Sequence, residues 1–152
     1  MDSGFDLGTM LVLPWHANIA LLFGRLAIGI CFVIHALGKL GVVGTGNMQG
    51  FADFLQSQGV PMAPVQARLA MLSELTGGSL LALGLFARPA SLLLMVTMII
   101  AGRIGHKGAG YLITNNPPGA EYTINLAAIC AMFVLTGPGV ISLDYILFVG
   151  MR

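Results

Sequence analysis

Apolar residues fall into four long runs, separated by breaks rich in glycine, proline and polar residues. The first run, residues 17–40, is long enough to cross a bilayer as a helix. Trp15 stands just ahead of it, a residue favoured at the membrane interface. The second run, 66–86, is also long enough to cross but has Glu74 in its middle. A tight Ala87-Arg88-Pro89 turn leads into the third, 89–103, the most uniformly apolar of the four and the one expected to show lipid the largest surface. The fourth, 121–136, places Glu121, Asn125, Ala128 and Met132 on one helical face and stops at Gly137-Pro138-Gly139. Two shorter helices are predicted. One lies within 47–59, capped by Asn47 and ended by Gly59, with Phe51, Phe54 and Leu55 on a face suited to lying on the membrane or folding over the bundle mouth. The other follows Ser142 and is too short to span. The expected fold is all-α: one integral membrane four-helix bundle over residues 1–152, with short helices in the first long loop and at the C-terminus. An even number of spans puts both termini on one side.

Composition strengthens this picture. The chain is 57% hydrophobic and 9% charged, with a mean hydropathy of +0.89. Soluble domains carry about 25% charged residues, so the partner surface is the lipid bilayer. A net charge of +1, with no basic patch or zinc-finger spacing, speaks against nucleic acid. Cys31 and Cys130 both sit in apolar runs and no CxxC occurs, so buried, inert thiols are expected. The acidic lead-in lacks the positive segment of a signal peptide and is read as uncleaved.

The polar residues inside the apolar runs carry the candidate chemistry. A carboxylate such as Glu74 costs roughly 2.5–3.5 kcal/mol in mid-membrane and normally faces a bundle interior with a partner. Ala70, Gly77 and Gly78 lie close to its side of the helix, where small residues admit a neighbouring helix. Arg25, His35 and Lys39 fall within about 80° of one face of the first span. Counting rise per residue from the shared loop end puts Lys39, His106, Glu121 and Tyr122 at the mouth of a polar funnel. The same count puts His35 and Asn125 about 6 Å in, Glu74 about 14 Å and Arg25 about 20 Å. An Arg25–Glu74 ion pair is therefore expected at the funnel floor, either as an internal clamp or as part of a small-molecule pocket. His35 and His106 could ligate a metal or a b-type haem iron, but they lie on different helices with no supporting ligand motif, so hydrogen bonding or proton relay is the favoured role for them.

Six motifs in order, Arg25, HALGK at 35–39, SELTGG at 73–78, LGLFARPA, AEYTINL and TGPGVISLD, resemble the DoxX family of small four-helix membrane proteins. Ala36 stands where the family typically has glycine. The resemblance implies a bacterial or archaeal cytoplasmic membrane protein, with both termini cytoplasmic. A bare count of positive charges puts the funnel mouth in the cytoplasm instead. DoxX and DoxD-like proteins are associated with quinone-linked oxidoreductase complexes, and others with thiol handling. On that reading the chain is at most a subunit of such a complex, with no complete active site of its own. Glu74, His35 and Glu121 form a possible proton relay, and Arg25, Lys39, His106, Tyr122 and Asn125 bind substrate. Quinone is the candidate ligand; no metal is expected and no cofactor motif is evident. Other subunits or further copies of the chain are the expected partners. Two alternatives stand beside it: a non-catalytic anchoring subunit docking through the third span near Met95 and Met98, and a small-anion transporter drawing on the basic mouth.

Overall fold

The computed structural model describes residues 14–149, so the acidic lead-in and Arg152 lie outside the described residues. Six helices and no strands occur among the described residues: α1 (Pro14–Leu40), α2 (Met48–Ser57), α3 (Ala63–Leu83), α4 (Ala87–Gly105), α5 (Glu121–Thr136) and α6 (Leu143–Phe148). Two of them, over Trp15–Leu40 and Ala87–Gly105, are long and apolar enough to cross a membrane; α5 is apolar but shorter. The caps follow the sequence. Asn47 Oδ1 accepts the Gly50 N–H at 2.7 Å, and Ser142 Oγ accepts the Tyr145 N–H at 3.2 Å. Gly84, at φ +67°, ends α3 in a left-handed turn that costs a glycine little. Asp144 then accepts the N–H groups of Phe86 at 2.6 Å and Ala87 at 2.9 Å. This ties α6 to the start of α4, where a carboxylate is favoured by the helix dipole.

The four longer helices pack in the order α1–α3–α4–α5. Their shared core holds Phe32, Leu81, Leu94, Met98, Cys130 and Phe133. Met98 is thus buried and Met95 packs beside it, so neither forms the exposed docking face expected of the third span. The exposed face of α4 is formed by Leu92, Leu93, Val96, Ile99 and Ile100. Phe23 and Ile30 on α1 are exposed in the same way, as expected of side chains whose solvent is hydrocarbon.

Backbone contact between α1 and α3 sets the register. A Cβ on Gly29 would lie 2.6 Å from the Gly78 carbonyl oxygen, and one on Gly78 would lie 2.8 Å from the Gly29 carbonyl oxygen. Gly77, one residue on, turns to α4, where its missing Cβ makes room for Leu94. The glycine pair therefore serves two neighbours at once, as small residues do at close helix crossings. With Gly29 opposite 78–82, Glu74 stands roughly level with His35, and α3 starts well beyond the end of α1. The overshoot is occupied: Ala63 and Ala67 pack under Ala52 and Leu55 of α2.

Gly78→Ala should lower the melting temperature of the detergent-solubilised protein by several degrees, a loss of about 1–3 kcal/mol for overpacking. Gly50→Ala should melt at or slightly above the wild type, since its Cβ meets nothing nearer than Asn47 Oδ1 at 3.5 Å. Equal melting of the two variants would rule out the glycine contact as the determinant of register.

Candidate functional site

Arg25 and Glu74 are not partners. Arg25 is buried at 4% exposure. Its two terminal nitrogens donate to the backbone carbonyls of Ala82 and Ile141, and the Asp144 charge lies within electrostatic reach. Glu74, also 4% exposed, pairs with Lys39. The expected pair fails for two reasons. The depth count assumed that both helices start level, whereas α3 overshoots α1 and leaves Arg25 ten residues, roughly 15 Å, from the level of Glu74. Side chains on a helix also lean toward its N-terminus. In the antiparallel α1–α3 pair, Lys39 and Glu74 lean toward each other, while Arg25 leans away to the carbonyl end of α3. There the partial negative charge of the helix terminus suits a guanidinium. Arg25 is thus a clamp joining α1, the end of α3 and the 137–142 segment.

At the other end, Lys39, Glu74, His35 and Tyr122 come together. Tyr122 Oη lies 2.5 Å from His35 Nε2, and Cys31 Sγ lies 3.4 Å from the same oxygen. Tyr122 has one phenolic proton for the two contacts: when it donates that proton to Nε2, the thiol donates to Oη. The charges of Glu74 and Lys39 both act on the His35 ring. Lys39 also sits 5.1 Å from the centre of the Phe51 ring, which α2 lays over it. Cys31, left as an inert thiol by sequence reasoning, joins this chain. Its position one helical turn before His35 is the signal that pointed there. Both cysteines are free.

Lys39 and Glu74 stand at one wall of a groove of about 860 Å³ between α2, α3 and α4. Leu69, Leu72, Leu93, Val96 and Ile100 form its apolar sides, and Ser73, Thr97 and His106 add polar atoms. Ser73 and Thr97 hydroxyls meet at 2.9 Å and bridge α3 to α4. The apolar wall residues are themselves exposed at the protein surface, so the groove opens sideways. The remaining predicted residues lie apart from the ion pair. Glu121 accepts the Ile113 N–H at 3.0 Å and Asn125 Oδ1 accepts the Tyr111 hydroxyl at 3.1 Å, both shaping the 106–120 connection. His106 Nδ1 meets the Pro118 carbonyl at 2.7 Å while its ring lines the groove. Among the described residues, no group of three or more His, Cys, Asp or Glu side chains is arranged to hold a metal ion.

The sequence profile of the DoxX family matches residues 20–107. That stretch includes Arg25, His35, Lys39, Glu74 and the groove walls, but not Tyr122 or Asn125. Inner membrane protein YphA of Escherichia coli (strain K12) is 28% identical over 129 residues, covering 83% of this chain and 89% of the relative. Putative oxidoreductase CatD of Bacillus subtilis (strain 168) is 29% identical over 157 residues, covering 100% of this chain and 96% of the relative. No solved structure matches the chain.

A double-mutant cycle separates the two polar systems. Lys39→Met alone leaves Glu74 buried without its partner, and adding Glu74→Gln should recover about 1–3 kcal/mol of stability. That is less than a fully buried pair returns, because Lys39 stays 19% exposed. Arg25→Met combined with Glu74→Gln should be additive in thermal unfolding; coupling there with none at Lys39–Glu74 would reinstate the pairing expected from the sequence.

Proposed function

This chain belongs to the DoxX family of membrane proteins, and we propose that it is a membrane subunit of a quinone-linked oxidoreductase complex that binds a quinone headgroup beside Lys39 and Glu74. The observation that carries the reading is a buried ion pair at the wall of a sideways-opening, apolar-sided groove. A soluble ligand has no use for the exposed leucines, valine and isoleucine along α3 and α4. A molecule with a polar ring and a hydrocarbon tail uses both parts, since the tail leaves lipid for an equally apolar wall while the ring finds donors. The printed name of CatD supports oxidoreductase chemistry, and that of YphA supports placement in a bacterial inner membrane. In the proposed topology α1, α3, α4 and α5 all span, with the shorter α5 closing against α4.

On this reading each residue near the groove has a defined task. Reduction of a quinone to a quinol takes up two electrons and two protons. The electrons come from a redox centre on another subunit. Lys39 donates a hydrogen bond to a ring oxygen and steadies negative charge there. Glu74 exchanges protons beside it. Leu72 and Leu93 hold the tail and keep water out. Arg25, fixed to backbone carbonyls on the far side of the bundle, keeps α1 and α3 in register and touches no ligand.

Purification from native membranes in mild detergent should bring down a dehydrogenase subunit and extractable quinone. In the same preparation Leu72→Trp, which fills the groove without touching the ion pair, should weaken binding of a decyl-tailed benzoquinone by roughly tenfold or more. Unchanged affinity in that variant, or no binding by the unsubstituted protein, would remove the groove as the quinone site.

A further inference from the structure

A second cavity meets the groove at Lys39 and Phe51. It measures about 550 Å³ and lies between the last turns of α1, the 41–47 segment and the start of α2. Its lining has a larger polar share than that of the groove. His35, Lys39, Thr45 and Asn47 bring polar side chains, and Ile34 and Phe51 close two sides. Glu74 lines the groove alone, His35 lines the smaller cavity alone, and Lys39 lines both. Lys39 therefore stands between the two cavities, with Glu74 on the groove side.

That placement matters for protons. A carboxylate that gives up a proton inside an apolar groove cannot be recharged from the hydrocarbon side, which excludes water and ions. We propose that the smaller cavity is a water-filled vestibule that recharges the Lys39–Glu74 pair, with His35 as its proton donor and Tyr122 as the residue that positions His35. The proposal rests on the groove reading for what consumes the protons. The space holds several waters at about 30 Å³ each, and the four polar side chains supply the partners a water needs. His35 faces Tyr122 from α5 and the charges of Lys39 and Glu74 from α1 and α3, while α2 contributes the uncharged Phe51 ring to the chamber. When Lys39 Nζ gives up a proton, by way of the Glu74 carboxylate, to a groove ligand, the protonated His35 imidazolium returns one to Nζ and is left neutral. Bulk water restores His35, and no electron moves in this step.

Two positions of nearly equal exposure test the chamber. Ile34 in the vestibule is 49% exposed and Leu72 in the groove is 47% exposed, so a difference in labelling reports the medium and not the access. In sealed vesicles a sulfonated, membrane-impermeant maleimide should modify Ile34→Cys from one face at least about tenfold faster than Leu72→Cys, because thiolate forms readily only in water. A lipophilic maleimide should modify both, and the unsubstituted chain sets the background from Cys31 and Cys130. Equal rates with the charged reagent, or reaction of Ile34→Cys with the lipophilic reagent alone, would overturn the vestibule. As a second variant, Thr45→Trp narrows the chamber from its loop side. In the native complex it should slow reduction of the decyl-tailed benzoquinone by roughly tenfold or more and leave its affinity within about twofold. Unchanged reduction in that variant also sinks the proton route. Failure of the unsubstituted protein to bind the analogue sinks the groove reading instead and leaves the labelling result standing.

Discussion

Backbone contact at Gly29 and Gly78 is the constraint from which the other features follow. Apolar surface has little reason to leave lipid for another helix, so association in a membrane relies on close packing and polar contacts. Two facing glycines allow that approach, and an added methyl on either would collide with backbone. The crossing point then fixes which residues of α1 and α3 are level. It carries the start of α3 past the end of α1, leaving two alanines for α2 to seat on. It also sets Lys39 within reach of Glu74 and keeps Arg25 out of it.

The result is a bundle with two polar systems solved in different ways. At one end the two terminal nitrogens of a guanidinium donate to carbonyls of a helix end and of the 137–142 segment, while its Nε is buried without a hydrogen-bond partner. This arrangement gives the arginine no proton to exchange and binds three segments together. At the other end an ammonium and a carboxylate neutralise each other, and a hydrogen-bonded histidine, tyrosine and thiol lie within reach of their charges. The first system suits a structural clamp, since its acceptors are backbone atoms. The second suits exchange, since every member carries or accepts a proton and two cavities adjoin it.

The walls of the groove face the apolar surroundings of α3 and α4, so it is open from the side of the bundle. The polar chamber lies across Lys39 and Phe51, on the side of the 41–47 segment. Separation of the two by one layer of side chains lets the medium differ on either side over a few ångströms. No larger fold is needed for that.

Much of this protein is legible in its sequence. Long apolar runs and glycine breaks mark the helices, because hydrophobic length and helix punctuation are local properties. α5 begins and ends where the periodicity predicts, and Asn47 and Ser142 cap the helices they introduce. Glu74 on a small-residue face, and the His35–Lys39 side of α1, were visible as the polar seam. Pairing was not visible, because partners depend on the relative axial shift of two helices and on the lean of their side chains. A count of depth from loop ends carries neither quantity. The shift comes from the glycine contact and from α2 claiming the first turns of α3, both of them long-range. For the same reason Tyr122 met His35 while its neighbour Glu121 turned to the loop. The sequence alone determined an apolar helical protein with an acid and three basic groups inside it; the packing of one helix against another decided which acid met which base.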